Sequence, residues 1–335
     1  MHQLRKPYLL FLGDVQLKSD AKTAFGLRDW CGPDVIGQCS LPEATVSLDL
    51  PLLTPEQAAA QGAGSIVVGV AAVGGILPPS WLPTLEAALL AGLDVISGLH
   101  SRLTTFPSLV QAAQRGGGRL NDVRHTDQVF APGTGRKRSG KRLLTVGTDC
   151  ALGKKYTALA LTRSLQEHGA AASFRATGQT GVMIAGAGVA VDAVVADFIS
   201  GTAEALSPDN APEHWDVIEG QGALFHPAYA GVTLGLLHGS QPDALVLCHD
   251  PSRKSIEGYP DYPIPDLQHA IDRYVEAASL TNRAVRCVGI SINSSSLSDD
   301  AWRTYANQQS DRLGLPVVDP MRGGVDAITL RMLAP

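Results

Sequence analysis

At 335 residues, with 44% hydrophobic content and a mean hydropathy of +0.06, the chain has the composition of a globular enzyme with room for two domains. A formal charge of −5 with mixed signs throughout argues against a nucleic-acid footprint, and no uninterrupted apolar run approaches a membrane span. The cysteines, Cys31, Cys39, Cys150, Cys248 and Cys287, are odd in number with no C-x-x-C pair, which argues against a disulfide framework or a zinc site and fits a reducing cytoplasm.

The start, "MHQLRKPYLLFLGDVQL", runs from basic to apolar, reaches Asp14 quickly and lacks a small-residue cleavage site, so it reads as a first β-strand rather than an export signal. Residues 7 to 125 then alternate apolar strands, "YLLFLG", "DVIGQC", "SIVVGVA", "LDVISGL" and "RLNDVR", with helical stretches such as "PSWLPTLEAALLAG". That alternation predicts a mainly parallel sheet in a Rossmann-like domain over 1–130. "APGTGRKRSGK", 131–141, has no apolar periodicity and reads as a linker. A second α/β series over 142–335 follows: "RLLTVGT", "ASFRATG", "AVVADF", "WDVIEGQG", "DALVLCHD" and "AVRCVGISIN", closing in a helix from about Gly324 to Leu333. The expected fold class is α/β, an N-terminal Rossmann-like domain followed by a P-loop α/β domain, both with mainly parallel sheets.

The second domain opens with its most informative stretch, "VGTDCALGKKYT" at 146–157. The preceding "KRLLTV" reads as a buried strand, and Ala158, Leu161 and Leu165 form one apolar face of a helix that stops near Gly169. The first turn of a helix exposes unpaired N–H groups and the positive end of the macrodipole, so an anion fits there. Gly147 and Gly153 let the backbone bend around it, and Lys154 supplies a point charge. Between these glycines lie Thr148, Asp149, Cys150, Ala151 and Leu152, one residue more than in the standard G-x-x-x-x-G-K-[ST] loop. Lys155 stands where a nucleotide hydrolase places a Ser or Thr hydroxyl on magnesium, and Thr157 comes two residues late.

Ligands of open α/β sheets gather at the carboxyl ends of strands. In the second domain those ends hold Thr148 to Lys155, "ATGQTG" at 176–181, "EGQGALFHP" at 219–227, "HDPSRK" at 249–254 and Asn293. Glu219 ends an apolar strand between residues that allow close backbone approach, while His226 and His249 lie in loops after strands.

The loop, read as G-T-D with five residues before G-K, resembles the dethiobiotin synthetase-like branch of P-loop proteins, as do "FRATGQTG" and "DVIEGQG". Across nearly the whole chain the closer similarity is to the D-glutamate N-acetyltransferase (DgcN) family. It is carried by "GTDCALGKKYTALALTR", "ATGQTGVMIAGAGVAVDAVVADFISG", "EGQGALFHPAYAGVTLGLLHGSQPDALVLCHDP", "GVAAVGGILPPSW" and "DVISGLH". The resemblance implies acetyl transfer from acetyl-CoA to the amine of D-glutamate, with no metal expected. Gly147, Thr148, Asp149, Cys150, Gly153, Lys154, Lys155 and Tyr156 would then hold coenzyme A phosphates without cleaving them, and the absent magnesium hydroxyl ceases to be a defect.

An ammonium cannot attack a thioester, so a base must take its proton, with Glu219 the first candidate and His226 the second. The N–H groups of Gly220, Gln221 and Gly222 are candidates to stabilise the developing oxyanion. The acceptor's two carboxylates suit arginine forks, drawn from Arg28, Arg124, Arg175 and Arg253, with Gln179, Gln221 and His249 as further acceptor contacts. Base rates favour a homodimer or higher homo-oligomer. Three rival readings remain at this point. One is an ATP- and magnesium-dependent carboxylase or amide ligase, using Glu219, Asp149 or Asp197 with Thr157. Another is a nucleotide-sensing module, and the third an NAD-linked oxidoreductase, which the glycines of "GVAAVGG" do not favour because they do not spell G-x-G-x-x-G.

Overall fold

The computed structural model of the chain describes residues 4–70, 73–126 and 128–334; Ala71 and Ala72 of "GVAAVGG" and the first residues of the opening stretch lie outside these. The chain forms two compact units, Met1–Gln128 with Gly178–Ala190, and Val129–Thr177 with Val191–Pro335. No helix among the described residues is long and apolar enough to cross a membrane.

Unit 1 is built on five strands, β1 (Tyr8–Phe11), β2 (Val35–Cys39), β3 (Ser65–Val68), β4 (Asp94–Ser97) and β5 (Leu120–Asp122), in the order β2-β1-β3-β4-β5 and parallel throughout. The helices α1 (Lys22–Cys31), α2 (Pro55–Ala60), α3 (Leu82–Leu90) and α4 (Pro107–Gly116) connect them. β1, β3 and β4 are buried along their whole length, as parallel strands covered on both faces must be. Turn chemistry sets the helix limits. Thr54 and Gln57 form a reciprocal capping box at the start of α2, and α4 stops at Gly117, whose φ of 79° suits glycine.

Unit 2 carries β6 (Lys141–Gly147), β7 (Ala172–Arg175), β8 (Trp215–Ile218) and β9 (Ala244–His249), then a short antiparallel hairpin of β10 (Ser255–Ile256) and β11 (Tyr259–Pro263), and finally β12 (Arg286–Ile292) and β13 (Val317–Val318). Its main sheet runs β13-β12-β9-β6-β8-β7, all parallel. Period-two alternation divides the strands between two cores. Leu143, Val217, Val246 and Val288 meet α5 (Lys154–Glu167) and α11 (Asp326–Leu333), while Leu144, Ile218, Leu245, Leu247 and Ile290 meet α8 (Ala230–Ser240), α9 (Leu267–Ser279) and α10 (Asp299–Leu313). The loop after β6 falls where the strand order reverses, the crevice that parallel sheets offer to ligands.

Three stretches differ from the expectation. "AVVADF", 193–198, is not a strand: it runs from the end of one 3-10 turn (Val191–Ala193) through a second (Ala196–Phe198) into α7 (Ile199–Leu206), and with Val195 65% exposed its apolar run lacks the burial of a sheet strand. The segment 131–141 belongs to unit 2 and is fixed: the Glu204 carboxylate accepts from the N–H groups of Thr134 and Gly135, and the buried Arg138 donates to the carbonyls of Ser207 and Gly239. Residues 178–190, which hold α6 (Gln179–Ala185), pack as part of unit 1 although the flanking chain builds unit 2. The two ends of this excursion are clasped by Val191 N–H donating to the Thr177 carbonyl at 2.9 Å.

Candidate functional site

The loop after β6 has the backbone its sequence requires. Gly153 sits at φ 98° and Ala151 at φ 54°, and α5 starts at Lys154 with no side chain capping its first turn. Those N–H groups are therefore directed out of the helix toward an anion site. Lys154 is buried, and its Nζ donates to the Asp149 carbonyl at 2.9 Å. A Cβ on Gly147 would lie 3.2 Å from that Nζ, so the glycine makes room for the ammonium. Burial pulls the Lys154 pKa down, and an anion in the loop would oppose that pull.

Asp149 is a strut of the loop. Its Oδ1 accepts from Cys150 N–H at 2.6 Å, while its Oδ2 accepts from Arg253 at 2.5 Å and from Glu257 N–H at 2.9 Å. Arg253, a candidate for an acceptor carboxylate, is thus ion-paired inside the loop and also donates to the Cys150 carbonyl. The metal-capable atoms of Asp149, Cys150 and His226 lie within 4.8 Å of one another. A cation there would compete with Arg253 for the Asp149 carboxylate, so the trio is better explained as packing around that ion pair. The Cys150 thiol is pushed up by burial, which disfavours the thiolate.

Thr157 does not serve as a displaced magnesium ligand. Its hydroxyl is buried against β9 and β12, 2.7 Å from Ser291 Oγ and within reach of Cys248. Lys155, at the usual hydroxyl position, lies over the Tyr156 ring at 5.3 Å.

Glu219 follows β8 and is 4% exposed, with Oε2 accepting from Thr177 N–H at 3.1 Å. Gly220 approaches β6 so closely that a Cβ would stand 1.7 Å from the Thr145 carbonyl oxygen, which accounts for glycine there. Its N–H donates to Thr145 Oγ1 at 2.9 Å and so is not directed at an oxyanion, contrary to the expectation for this group. Gln221 donates to Thr177 Oγ1. His226 is buried between Tyr229 and Tyr259, and its Nδ1 accepts from Ala228 N–H at 3.1 Å. That contact occupies the Nδ1 lone pair and leaves Nε2 as the ring nitrogen that can face a ligand.

His249, at the end of β9, has Nδ1 3.0 Å from Thr148 Oγ1 and stacks on Tyr305. Burial lowers its pKa to about 4. An unfolded histidine titrates near 6.5, so between these values the unfolded chain binds a proton that the folded chain refuses, and stability falls as pH falls. At pH 5 the loss attributable to His249 is expected to be about 2 kcal/mol. Denaturant unfolding at pH 7.5 and pH 5 should show His249→Gln losing that much less than the wild type, and equal losses would refute the assignment.

The remaining arginine candidates separate clearly. Arg28 pairs with its neighbour Asp29 and stacks on Phe25, and Arg175 pairs with the buried Asp216 at 2.7 Å. Arg124, in unit 1, is buried and donates Nε to the Gly98 carbonyl. Gln179 opens α6 in the same unit. Sequence reasoning missed Tyr274, whose hydroxyl donates to the Gly147 carbonyl at 2.7 Å and accepts from Leu224 N–H at 2.8 Å, bracing the loop from α9.

A Rossmann-like unit and an α/β unit with a lysine-bearing phosphate loop at its switch point define a two-domain P-loop protein. The chain belongs to the DUF1611 family: residues 39–126 match its Rossmann-like domain and residues 129–329 its P-loop domain, both described as domains of unknown function. Relatives named D-glutamate N-acetyltransferase are similar over nearly the full length. One from Pseudoalteromonas sp is 48% identical, with 98% of this chain and 99% of the relative covered. Another, from Tritonibacter scottomollicae, is 47% identical, with 97% and 99% covered. The crystal structure of a DUF1611 family protein from Anabaena variabilis ATCC 29413 superposes with a TM-score of 0.89 at 32% identity, covering 98% of this chain and 99% of that one.

Proposed function

We propose that the protein is a D-glutamate N-acetyltransferase that uses acetyl-CoA as donor, with the β6–α5 loop holding phosphates of coenzyme A. The observation that carries this reading is a loop with the parts for binding phosphate and without the hydroxyl for cleaving it. The uncapped helix start and Lys154 are in place, Lys155 occupies the magnesium-hydroxyl position, and Thr157 faces the core. The names of the full-length relatives support acetyl transfer to D-glutamate, and coenzyme A is the common acyl carrier whose phosphates suit such a loop.

In this reading the amine of D-glutamate loses a proton and attacks the thioester carbonyl, the C–S bond breaks, and the products are N-acetyl-D-glutamate and free coenzyme A. Glu219 is the proposed proton acceptor. The His226 ring and the ammonium of Lys154 lie beside the same loop. Thiol release from acetyl-CoA should require D-glutamate and be slower with D-alanine and L-glutamate, and ATP should not be consumed. Magnesium-dependent phosphate release on adding an amino acid, without thiol release, would replace this reading with the ligase one.

A further inference from the structure

Unit 2 holds a pocket beside the phosphate loop that neither the loop nor Glu219 explains. Residues 253–260 line it, from the segment after β9 through the turn between β10 and β11, and its volume is about 350 Å³. That is the small end of the ~300 to 1,000 Å³ of small-molecule sites, which suits one end of a coenzyme rather than the whole.

The pocket is built onto the loop. Arg253 Nη1 donates to Asp149 Oδ2 and to the Cys150 carbonyl, and Glu257 N–H donates to the same Asp149 oxygen at 2.9 Å. Ile256, between these two anchors, is 1% exposed and seats the hairpin in the core. One wall is aromatic: the Tyr259 ring meets His226 edge to face at 5.0 Å and Tyr262 at 6.0 Å. The charges are divided unequally. Arg253 pairs with Asp149 and, at 3.4 Å, with the Glu257 carboxylate, whereas Lys254 lines the same pocket, is exposed, and forms no ion pair among the described residues.

We infer that this pocket holds the adenosine end of coenzyme A, with the adenine against Tyr259 and Lys254 receiving the ribose phosphate. The identity of the ligand as coenzyme A rests on the acetyl-transfer reading; the site for a phosphoadenosine rests on the pocket. A purine is recognised by a flat aromatic wall, and a ribose phosphate by a cation that no carboxylate has already claimed. The hairpin supplies both, and its two anchors tie them to the loop that takes the diphosphate. The pantetheine arm carries neither a base nor a charge and would leave Lys254 without a partner.

The test is calorimetric titration of coenzyme A and dephospho-coenzyme A, which lacks only the ribose phosphate, into the full-length wild type, Lys254→Gln and Tyr259→Leu. The wild type should bind coenzyme A about 10-fold more tightly than dephospho-coenzyme A. Lys254→Gln should bind both ligands as the wild type binds dephospho-coenzyme A, because lysine and phosphate are two sides of one interaction. Tyr259→Leu should weaken both by roughly 5-fold or more and keep the preference between them. Should Tyr259→Leu fail to fold, Lys254→Gln decides alone, since its side chain is exposed. No preference in the wild type, or an undiminished one in Lys254→Gln, overturns the site while leaving acetyl transfer, read as thiol release, standing. Unchanged affinities in Tyr259→Leu overturn the placement of the adenine. If the wild type binds neither ligand and releases no thiol from acetyl-CoA, the acetyl-transfer reading fails, and adenosine 3′,5′-bisphosphate and AMP are titrated instead. A preference for the bisphosphate that Lys254→Gln abolishes then supports the pocket, and no preference overturns it.

Discussion

Lys154→Ala is expected to raise the KM for acetyl-CoA by roughly 30- to 1000-fold, equivalent to about 2 to 4 kcal/mol for a desolvated charge pair at a phosphate. The magnitude follows from burial: the ammonium is held inside the loop against the Asp149 carbonyl, where an anion meets it with little intervening water. A truncated donor separates this role from a structural one. S-acetyl-N-acetylcysteamine carries the thioester without any phosphate, so the variant should use it as well as the wild type does. Lys154→Arg keeps the charge but not the compact head, and should recover only part of the affinity. If Lys154→Ala leaves the KM for acetyl-CoA unchanged, the loop does not hold the donor's phosphates. If it impairs both donors equally, Lys154 acts on the thioester or supports the fold.

What the sequence made legible was whatever depends on local pattern. The apolar runs predicted the principal strands of both sheets, because a strand buried on both faces has few alternatives, and the failure of "AVVADF" marks the limit of that rule. The phosphate loop was legible because its glycines, its lysine and its strand–helix context all lie within one short stretch. Pairings between distant residues left no such trace. Arg253 and Asp149 are 104 positions apart, and nothing near either one signals that the two are ion-paired in the loop. The same holds for Tyr274 beneath Gly147 and for the packing of α6 in unit 1, which places Gln179 with Arg124 despite the intervening chain. His226 was found as a loop histidine, but which ring nitrogen can face a ligand depends on one backbone N–H that no spacing rule anticipates.

Glu219→Gln is expected to lower kcat by about 100- to 10,000-fold with little change in KM, the range for removing a general base. The substitution is conservative for the fold, because a glutamine oxygen can still accept from Thr177 N–H and the neighbouring Gly220 N–H remains bound to Thr145. Glu219 follows β8, which pairs with the strand leading into the phosphate loop, so a role at the donor's phosphate end is the alternative to a role as base, and the donor comparison separates the two. A base loses its effect on every donor when it is removed. Glu219→Gln should therefore slow acetyl-CoA and S-acetyl-N-acetylcysteamine by the same factor, and the loss should not recover at saturating donor. A defect confined to acetyl-CoA and expressed in KM would instead assign Glu219 to the phosphate end of the ligand. The proton acceptor would then have to be sought among groups that line the acceptor's own site.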